Sequence, residues 1–400
     1  MTRSVPLDRR YLLVMPIPYY VDDFGAVWVD RLWKHDLERH LDYLPQLTLT
    51  APCATLGAEK DMVRFDPPAG MTLIPLPHTT SMTSAVLGLP TTALRLFRAV
   101  KANEIVHSGA VGWPYPIGWL ANLFASLLRK PLVVVVESAP WRSTGEDDSW
   151  KRRLRKVVYE RLARWSCRRA TVAFFTQPAY RESLFGGRGT AYVTPATWMN
   201  ADDIVSEAAA QTRWQERVRE PVRLLFAGRL DADKGVRVLL DAVRASDAKG
   251  QAVALDIIGS GPLRDVCEQA ARELRTATIR MLDPVPYGAP FFALVDSYHA
   301  VVVPSVTDEQ PRILFDAHAR AVPIIASGTD GLRPHVVEGE REFLVTPGDV
   351  RSLQAALERA TARPEELRDN GLAGRRNVLG LTHQAMHENR SDILRRHFGA

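Results

Sequence analysis

The chain has 400 residues, more than one core usually organises, so two domains are expected. Hydrophobic content of 46% and charged content of 24% are those of a soluble globular protein, and no run approaches the roughly 18 apolar residues of a membrane-spanning helix. The net charge of +5 is a local feature: residues 150–170 hold nine lysines and arginines against one acid, Glu160, so the rest of the chain is net acidic and general nucleic-acid binding is not supported.

Cys53, Cys167 and Cys267 are too far apart for a disulfide framework or a metal pattern, which points to a reducing, cytoplasmic setting with no bound metal. The apolar stretch before Pro16 is too short for a secretory signal and reads as a strand over 11–15. The loop after Pro16 runs into a helix with Trp28, Leu32, Trp33 and Leu37 at helical spacing, and Gly25 falls where a strand-to-helix turn would take a small residue. Further strands are expected at 47–50, 71–75, 104–107, 132–136 and 171–175, with helices at 91–102 and 116–128 between them. Continuously apolar strands alternating with helices argue for a parallel sheet covered on both faces. His107 and Glu137 stand at the ends of two of these strands, where open α/β sheets bind ligands. The blander readings are a hydrogen-bonded strand-end histidine and a surface-loop acid.

In the basic segment, Trp150, Leu154, Val157, Val158, Leu162 and Trp165 form one apolar stripe on a helix. Such a helix either packs its stripe on the domain, the commoner arrangement, or lies on an anionic membrane surface, and the two are compatible. Residues 202–221 carry no strand pattern and read as a connection. The second half restarts the alternation with a strand at 222–227, the turn GRLDADKG, a helix at 236–246, a strand at 254–258, the turn GSGP and a helix at 263–274. A short strand at 279–282 and a helical stretch at 291–298 follow, and a helix over 383–398 closes the chain.

Two loops of this half carry the candidate chemistry. Gly228, Arg229 and Lys234 follow its first strand; a planar fork of donors beside a mobile ammonium suits a diphosphate. No G-x-x-x-x-G-K-[ST] is present, which excludes a nucleotide-hydrolysing P-loop. The stretch VVVPSVTDEQPRILFDAHARAVPIIASGTDGL reads as strand, polar loop, helix with Pro311 near its start, and second strand. A loop entering a helix offers free N–H groups to an anion, while Asp308 on the loop and Asp316 in the helix can reach two ends of a polyhydroxylated ligand.

FAGRLDADKG, IIGSGPLR, PSVTDEQPRILFDAHARAVPIIAS and FLVTPGD, in this order and spacing, resemble retaining glycosyltransferases of family 4. The resemblance implies the α/β GT-B fold, two Rossmann-like domains with parallel sheets facing across a cleft. Residues 1–205 would form an acceptor-binding domain, 206–220 a linker, 221–380 a donor-binding domain, and 381–400 a helix returning to the first domain. Arg229 and Lys234 would hold the donor diphosphate, Asp308 would contact the donor sugar and Asp316 the ribose. Gln310, Arg312 and Ile313 would lie along the phosphates, with Gly25, His107 and Glu137 on the acceptor side. Partners would be a nucleotide-sugar donor and a glycan or lipid-linked acceptor, with no cofactor or metal, in polysaccharide assembly. Peripheral contact with the inner face of an anionic membrane through 150–170 is compatible with this. The sequence departs from the family in its two Asp for Glu and in Glu309 and Pro311, where glycines are frequent. The alternatives are a catalytically silent nucleotide-sugar-binding partner, or a GT-B epimerase or phosphorylase.

Overall fold

A computed structural model describes residues 6–57, 61–110, 116–142, 149–336 and 343–399. The chain divides into two compact units, one of Met1–Trp141, Ser149–Pro195 and Gln384–Ala400, the other containing Ala196–His383.

The strands of the first unit are β1 (Tyr11–Val14), β2 (Tyr19–Val21), β3 (Val27–Asp30), β4 (Leu47–Thr55), β5 (Met62–Phe65), β6 (Thr72–Pro77), β7 (Ile105–Gly109), β8 (Leu132–Val136), β9 (Val172–Phe175) and β10 (Thr190–Val193). They form one sheet in the order β10-β9-β8-β7-β1-β4-β2-β3-β5, with β6 also paired to β4. Alternate side chains of each central strand enter opposite cores: Leu12, Val14, Leu132 and Val134 one, Tyr11, Leu13 and Val133 the other. Ile393, Leu394 and Phe398 of the closing helix His383–Phe398 join the second of these cores.

Three features differ from the expectations. Trp28 lies in β3 and not in a helix, because Val27 and Val29 alternate around it and Asp30 caps the helix Arg31–Leu41 by accepting from the backbone N–H groups of Leu32 and Trp33. Gly25 accordingly sits in the β2–β3 hairpin turn, where its N–H donates to the Asp22 carbonyl at 3.0 Å, and β2, β3 and β5 form an antiparallel excursion at the sheet edge. The third is the basic helix Trp150–Arg169, which buries only Ala163, Ser166 and Cys167; Trp150, Leu154, Val157 and Val158 of its apolar stripe are exposed. Its contact with the body of the unit runs through these small residues, through Tyr159, whose ring stands 4.7 Å from that of Trp119, and through Glu160, which accepts from Trp141 Nε1 at 2.9 Å. The N-terminal part of the stripe is therefore left unpacked, while Leu162 and Trp165 are half-buried.

The second unit has β11 (Arg223–Ala227), β12 (Ala254–Ile258), β13 (Thr278–Leu282), β14 (Ala300–Val303), β15 (Ile324–Ser327) and β16 (Leu344–Val345), all parallel in the order β13-β12-β11-β14-β15-β16. Again the strands feed two cores, Leu224, Phe226 and Val302 on one face and Leu225, Val301 and Val303 on the other. The segment expected as a linker contains the helix Glu207–Arg217, capped by Ser206, with Trp214 in the core of this unit. Its polar, charge-alternating outer face hid the helix from a search for strands, and the division between units falls earlier, at Pro195. Among the described residues no helix is long and apolar enough to cross a membrane.

Candidate functional site

In the second unit the chain passes from β11 to β12 and β13 on one side, then returns to β14 on the other. The loops leaving β11 and β14 therefore diverge at a topological switch point, the place where open α/β sheets bind ligands. Arg229 and Lys234 lie on the first loop, Asp308 on the second. The two are tied together, for the Val306 N–H donates to the Asp233 carbonyl at 3.0 Å and Lys234 Nζ lies 2.6 Å from Glu309 Oε2.

Glycines allow this closeness. A Cβ on Gly228 would meet only the Phe226 ring, at 3.7 Å, whereas on Gly235 (φ +71°) it would stand 1.9 Å from the Pro304 carbonyl oxygen at the end of β14. The GSGP turn acts likewise: a Cβ on Gly259 would lie 1.9 Å from the Gly228 carbonyl oxygen, and the Leu230 N–H donates to the Ser260 carbonyl at 2.9 Å. Backbone packing thus fixes the Arg229 loop while the Arg229 side chain is 66% exposed, 3.3 Å from Asp231.

The two acids differ in kind. Asp308 is exposed, with the Asp330 N–H 3.4 Å from its Oδ1. Asp316 is buried in the helix Ile313–Ala319 and accepts from the Tyr287 hydroxyl at 2.7 Å. Burial pushes its carboxyl up to about 7, against the opposing effects of that hydrogen bond and of the Arg312 charge. Arg312 stands over the Trp198 ring at 4.8 Å, and Trp198 in turn stacks on His383 at 5.2 Å. Gln310 is bonded on both sides: its Oε1 accepts from the Ala196 N–H at 3.1 Å and its Nε2 lies 2.7 Å from His335 Nε2. Burial holds His335 down at about 4, so it is neutral and accepts. Ile313 opens the short helix half-buried against the core.

The first unit repeats the switch point between β1 and β7, with β4 on the other side of β1. A cavity of about 210 Å³ opens there, bordered by Met15 to Ile17 after β1, His107 to Gly109 at the end of β7, Ala110 beyond it and Glu137 after β8. His107 and Glu137 thus meet in one pocket, while Gly25 is not among its lining residues. Asp36, His40 and Arg390 also line it, and sequence reading passed over all three. Asp36 and His40 are one turn apart on the helix Arg31–Leu41, a spacing that could have been noticed; Arg390 arrives from the far end of the chain.

The pocket rests on buried histidines. Tyr11 Oη is 3.0 Å from His107 Nδ1, and His387 Nε2 is 3.0 Å from Asp36 Oδ1. His40 Nδ1 donates to the Asp36 carbonyl at 2.9 Å and leaves Nε2 buried without a hydrogen-bond partner. Burial lowers His107 well below its ordinary range and His387 to about 3, outweighing the Asp36 carboxylate. Asp36, His40 and His387 bring three ligand atoms within 4.8 Å of one another, a set that could hold a metal ion. The Arg390 charge, which lowers both His107 and His387, opposes a cation there.

Residues 221–363 match the family described as Glycosyl transferases group 1. The chain is 26% identical to an alpha-D-kanosaminyltransferase of Streptomyces kanamyceticus over 68% of its length and 71% of that protein, and 24% identical to the 2-deoxystreptamine glucosyltransferase of the same organism over 79% and 85%. A glycogen synthase of Mycobacterium tuberculosis is 24% identical over 44% of this chain, which spans only 43% of that enzyme. Among solved structures, a sucrose-phosphate synthase from Thermosynechococcus elongatus superposes with a TM-score of 0.69 at 18% identity, covering 98% of this chain and 100% of that one. Anabaena HepE in complex with UDP-glucose gives 0.62 at 14% identity over 96% and 98%. The fold is therefore the two-unit α/β architecture of GT-B glycosyltransferases, and the second unit carries a glycosyl transferases group 1 domain.

Proposed function

We propose that the protein is a retaining glycosyltransferase that moves a sugar from a nucleotide-diphosphate sugar to a glycan, lipid-linked or small-molecule acceptor. The observation that carries this reading is the pair of tied loops at the second unit's switch point, with Arg229 and Lys234 on one and Asp308 on the other. Arg229 and Lys234 receive the diphosphate, Asp308 contacts the sugar, and Asp316 the ribose. Gly228, Gln310, Arg312 and Ile313 form the donor bed, and His107 and Glu137 the acceptor pocket of the first unit. The donor is a UDP- or GDP-sugar; HepE, described in complex with UDP-glucose, supports the UDP form.

The bond from the anomeric carbon to the diphosphate oxygen breaks as negative charge gathers on the leaving group, which preorganised cations stabilise. The acceptor oxygen attacks from the same face, and the departing phosphate oxygen takes its proton. The cations do the electrostatic work, so this reading requires no metal. Lys234 is held by Glu309, so donor binding exchanges one anion for another. Polysaccharide assembly and contact with the inner face of an anionic membrane through 150–170 belong to the same reading.

A second reading, a silent nucleotide-sugar-binding partner, is favoured by the Asp at both 308 and 316, each carboxylate one methylene shorter in reach than a Glu. A thermal-shift panel of UDP, GDP and ADP with their sugar conjugates, each in EDTA and in magnesium, tests the first reading. One nucleotide raising the midpoint equally in both buffers, followed by transfer to an acceptor, is expected. Binding without transfer or hydrolysis supports the second reading, and no shift with any nucleotide overturns both.

A further inference from the structure

The apolar stripe of the helix Trp150–Arg169 is one wall of a larger surface on the first unit. The helices Met82–Ala102, Ile117–Leu127 and Trp150–Arg169 enclose a groove of about 550 Å³ whose lining includes Met82, Val86, Leu89, Leu123, Leu162 and Trp165. Met82, Val86 and Leu89 are spaced four and three residues apart, so they form one stripe, and Leu154, Val158, Leu162 and Trp165 form another that runs from the groove outward. Around the groove Leu87 is 77%, Trp150 69% and Leu127 68% exposed. Apolar side chains of this size, contiguous across three helices, mark an interaction surface.

We propose that this face is a monotopic membrane anchor: it enters the headgroup–acyl boundary of an anionic bilayer, with acyl chains filling the groove. Charge decides the occupant. The third helix carries nine lysines and arginines and one acid, and Lys151, Arg155 and Arg161 are exposed beside the apolar stripe. Long cationic side chains lay their stems along apolar surface and raise their heads to lipid phosphates. Two copies placed face to face would instead bring two such cationic helices together, which like-charge repulsion opposes. This deepens the membrane part of the proposed function and stands apart from the transfer chemistry, because its readout is sedimentation: nucleotide binding can fail while vesicle binding holds, and the reverse.

The experiment is co-sedimentation with phosphatidylcholine vesicles, with and without phosphatidylglycerol, across a salt series. Binding should favour the anionic vesicles and weaken with salt without vanishing, since insertion supplies an unscreened component. The combined variant Val86→Glu, Leu87→Glu and Leu154→Glu should cut vesicle binding at least about tenfold, with an unchanged thermal midpoint because all three side chains are exposed. Equal binding by variant and parent overturns the proposal. So does a concentration-dependent dimer that the same substitutions abolish, which would make the occupant a second copy. The parent protein alone also decides, for absence of preference for anionic vesicles overturns the proposal whatever the variant does.

Discussion

The two units place the same kind of opening, a switch point in a parallel sheet, and furnish it in opposite ways. In the second unit, charged side chains stand on loops that glycines press together, and they pair with one another: Lys234 with Glu309, both mostly buried, and the exposed Arg229 with Asp231. In the first, the polar groups are sunk between the sheet and two helices, and burial keeps His107 and His387 uncharged. The contrast teaches that one site holds its cations in ion pairs that an anionic ligand must displace, while the other sets neutral buried histidines among Asp36, Glu137 and the Arg390 guanidinium.

The largest expected effect tests the electrostatic side. Arg229→Ala should lower turnover by about 100- to 1000-fold, as loss of one preorganised charge does, with the circular-dichroism spectrum unchanged because the side chain projects from a backbone-fixed loop. Unchanged turnover would remove Arg229 from the mechanism.

Next comes the pH dependence, which separates the units by sign. Asp316 has a folded pKa above its unfolded value, so its stabilising contribution is complete below about pH 4 and is lost as pH rises through 7. Between pH 5 and 8 that loss is on the order of 3 kcal/mol. Denaturant melts of the parent and of Asp316→Asn should diverge by that amount, the Asn variant being the flatter. The buried histidines act the other way: folded His387, held at about 3, stays neutral while the unfolded chain takes up protons below its ordinary value of 6.5. Stability from the first unit is therefore present above 6.5 and declines toward pH 3, and His387→Gln should lose that acid-side slope. Parallel pH profiles for both variants would erase the distinction between the units.

Gly235→Ala should cost about 2 kcal/mol in urea melts, since it combines a left-handed backbone with a collision against the Pro304 carbonyl. Gly25→Ala has a positive φ to adjust but no neighbour within 4 Å to meet, and should cost about 1 kcal/mol. The smallest effect is at Glu309→Gln, which frees Lys234 and should tighten nucleotide-diphosphate binding about three- to tenfold by calorimetry. Weaker binding in that variant would show that Glu309 holds Lys234 in a useful position.

What was legible in the sequence follows the same division. The second unit's strands and its loop residues lie in contiguous stretches, strand then loop then helix, so their order placed Arg229 and Lys234 on the loop after β11, Asp308 on the loop after β14 and Asp316 in the helix that follows, where the structure has them. What spacing did not reveal was environment: nothing in the order of residues says that Tyr287 covers Asp316 or that Glu309 takes Lys234. In the first unit His107 and Glu137 were found as strand-end polar residues, but Asp36, His40 and Arg390 reach the pocket from distant segments. Trp28 satisfies both a helical and an alternating pattern, and only the turn before it, from Asp22 to Gly25, distinguishes the two. The helix Glu207–Arg217 was missed because it buries only Ala210, Trp214 and Arg217, too few apolar residues to show a helical period.

The closing helix carries a consequence for how the protein is made. Ile393, Leu394 and Phe398 complete a core whose other members, from Leu7 to Phe174, are translated before the second unit begins. On the ribosome, that core waits with an open apolar face while residues 196–383 emerge and fold as a unit of their own. The unit whose strands are translated earlier is thus the later to close, and a nascent chain stalled before the closing helix lacks the cover that this helix gives to Tyr43, Phe174 and Tyr192.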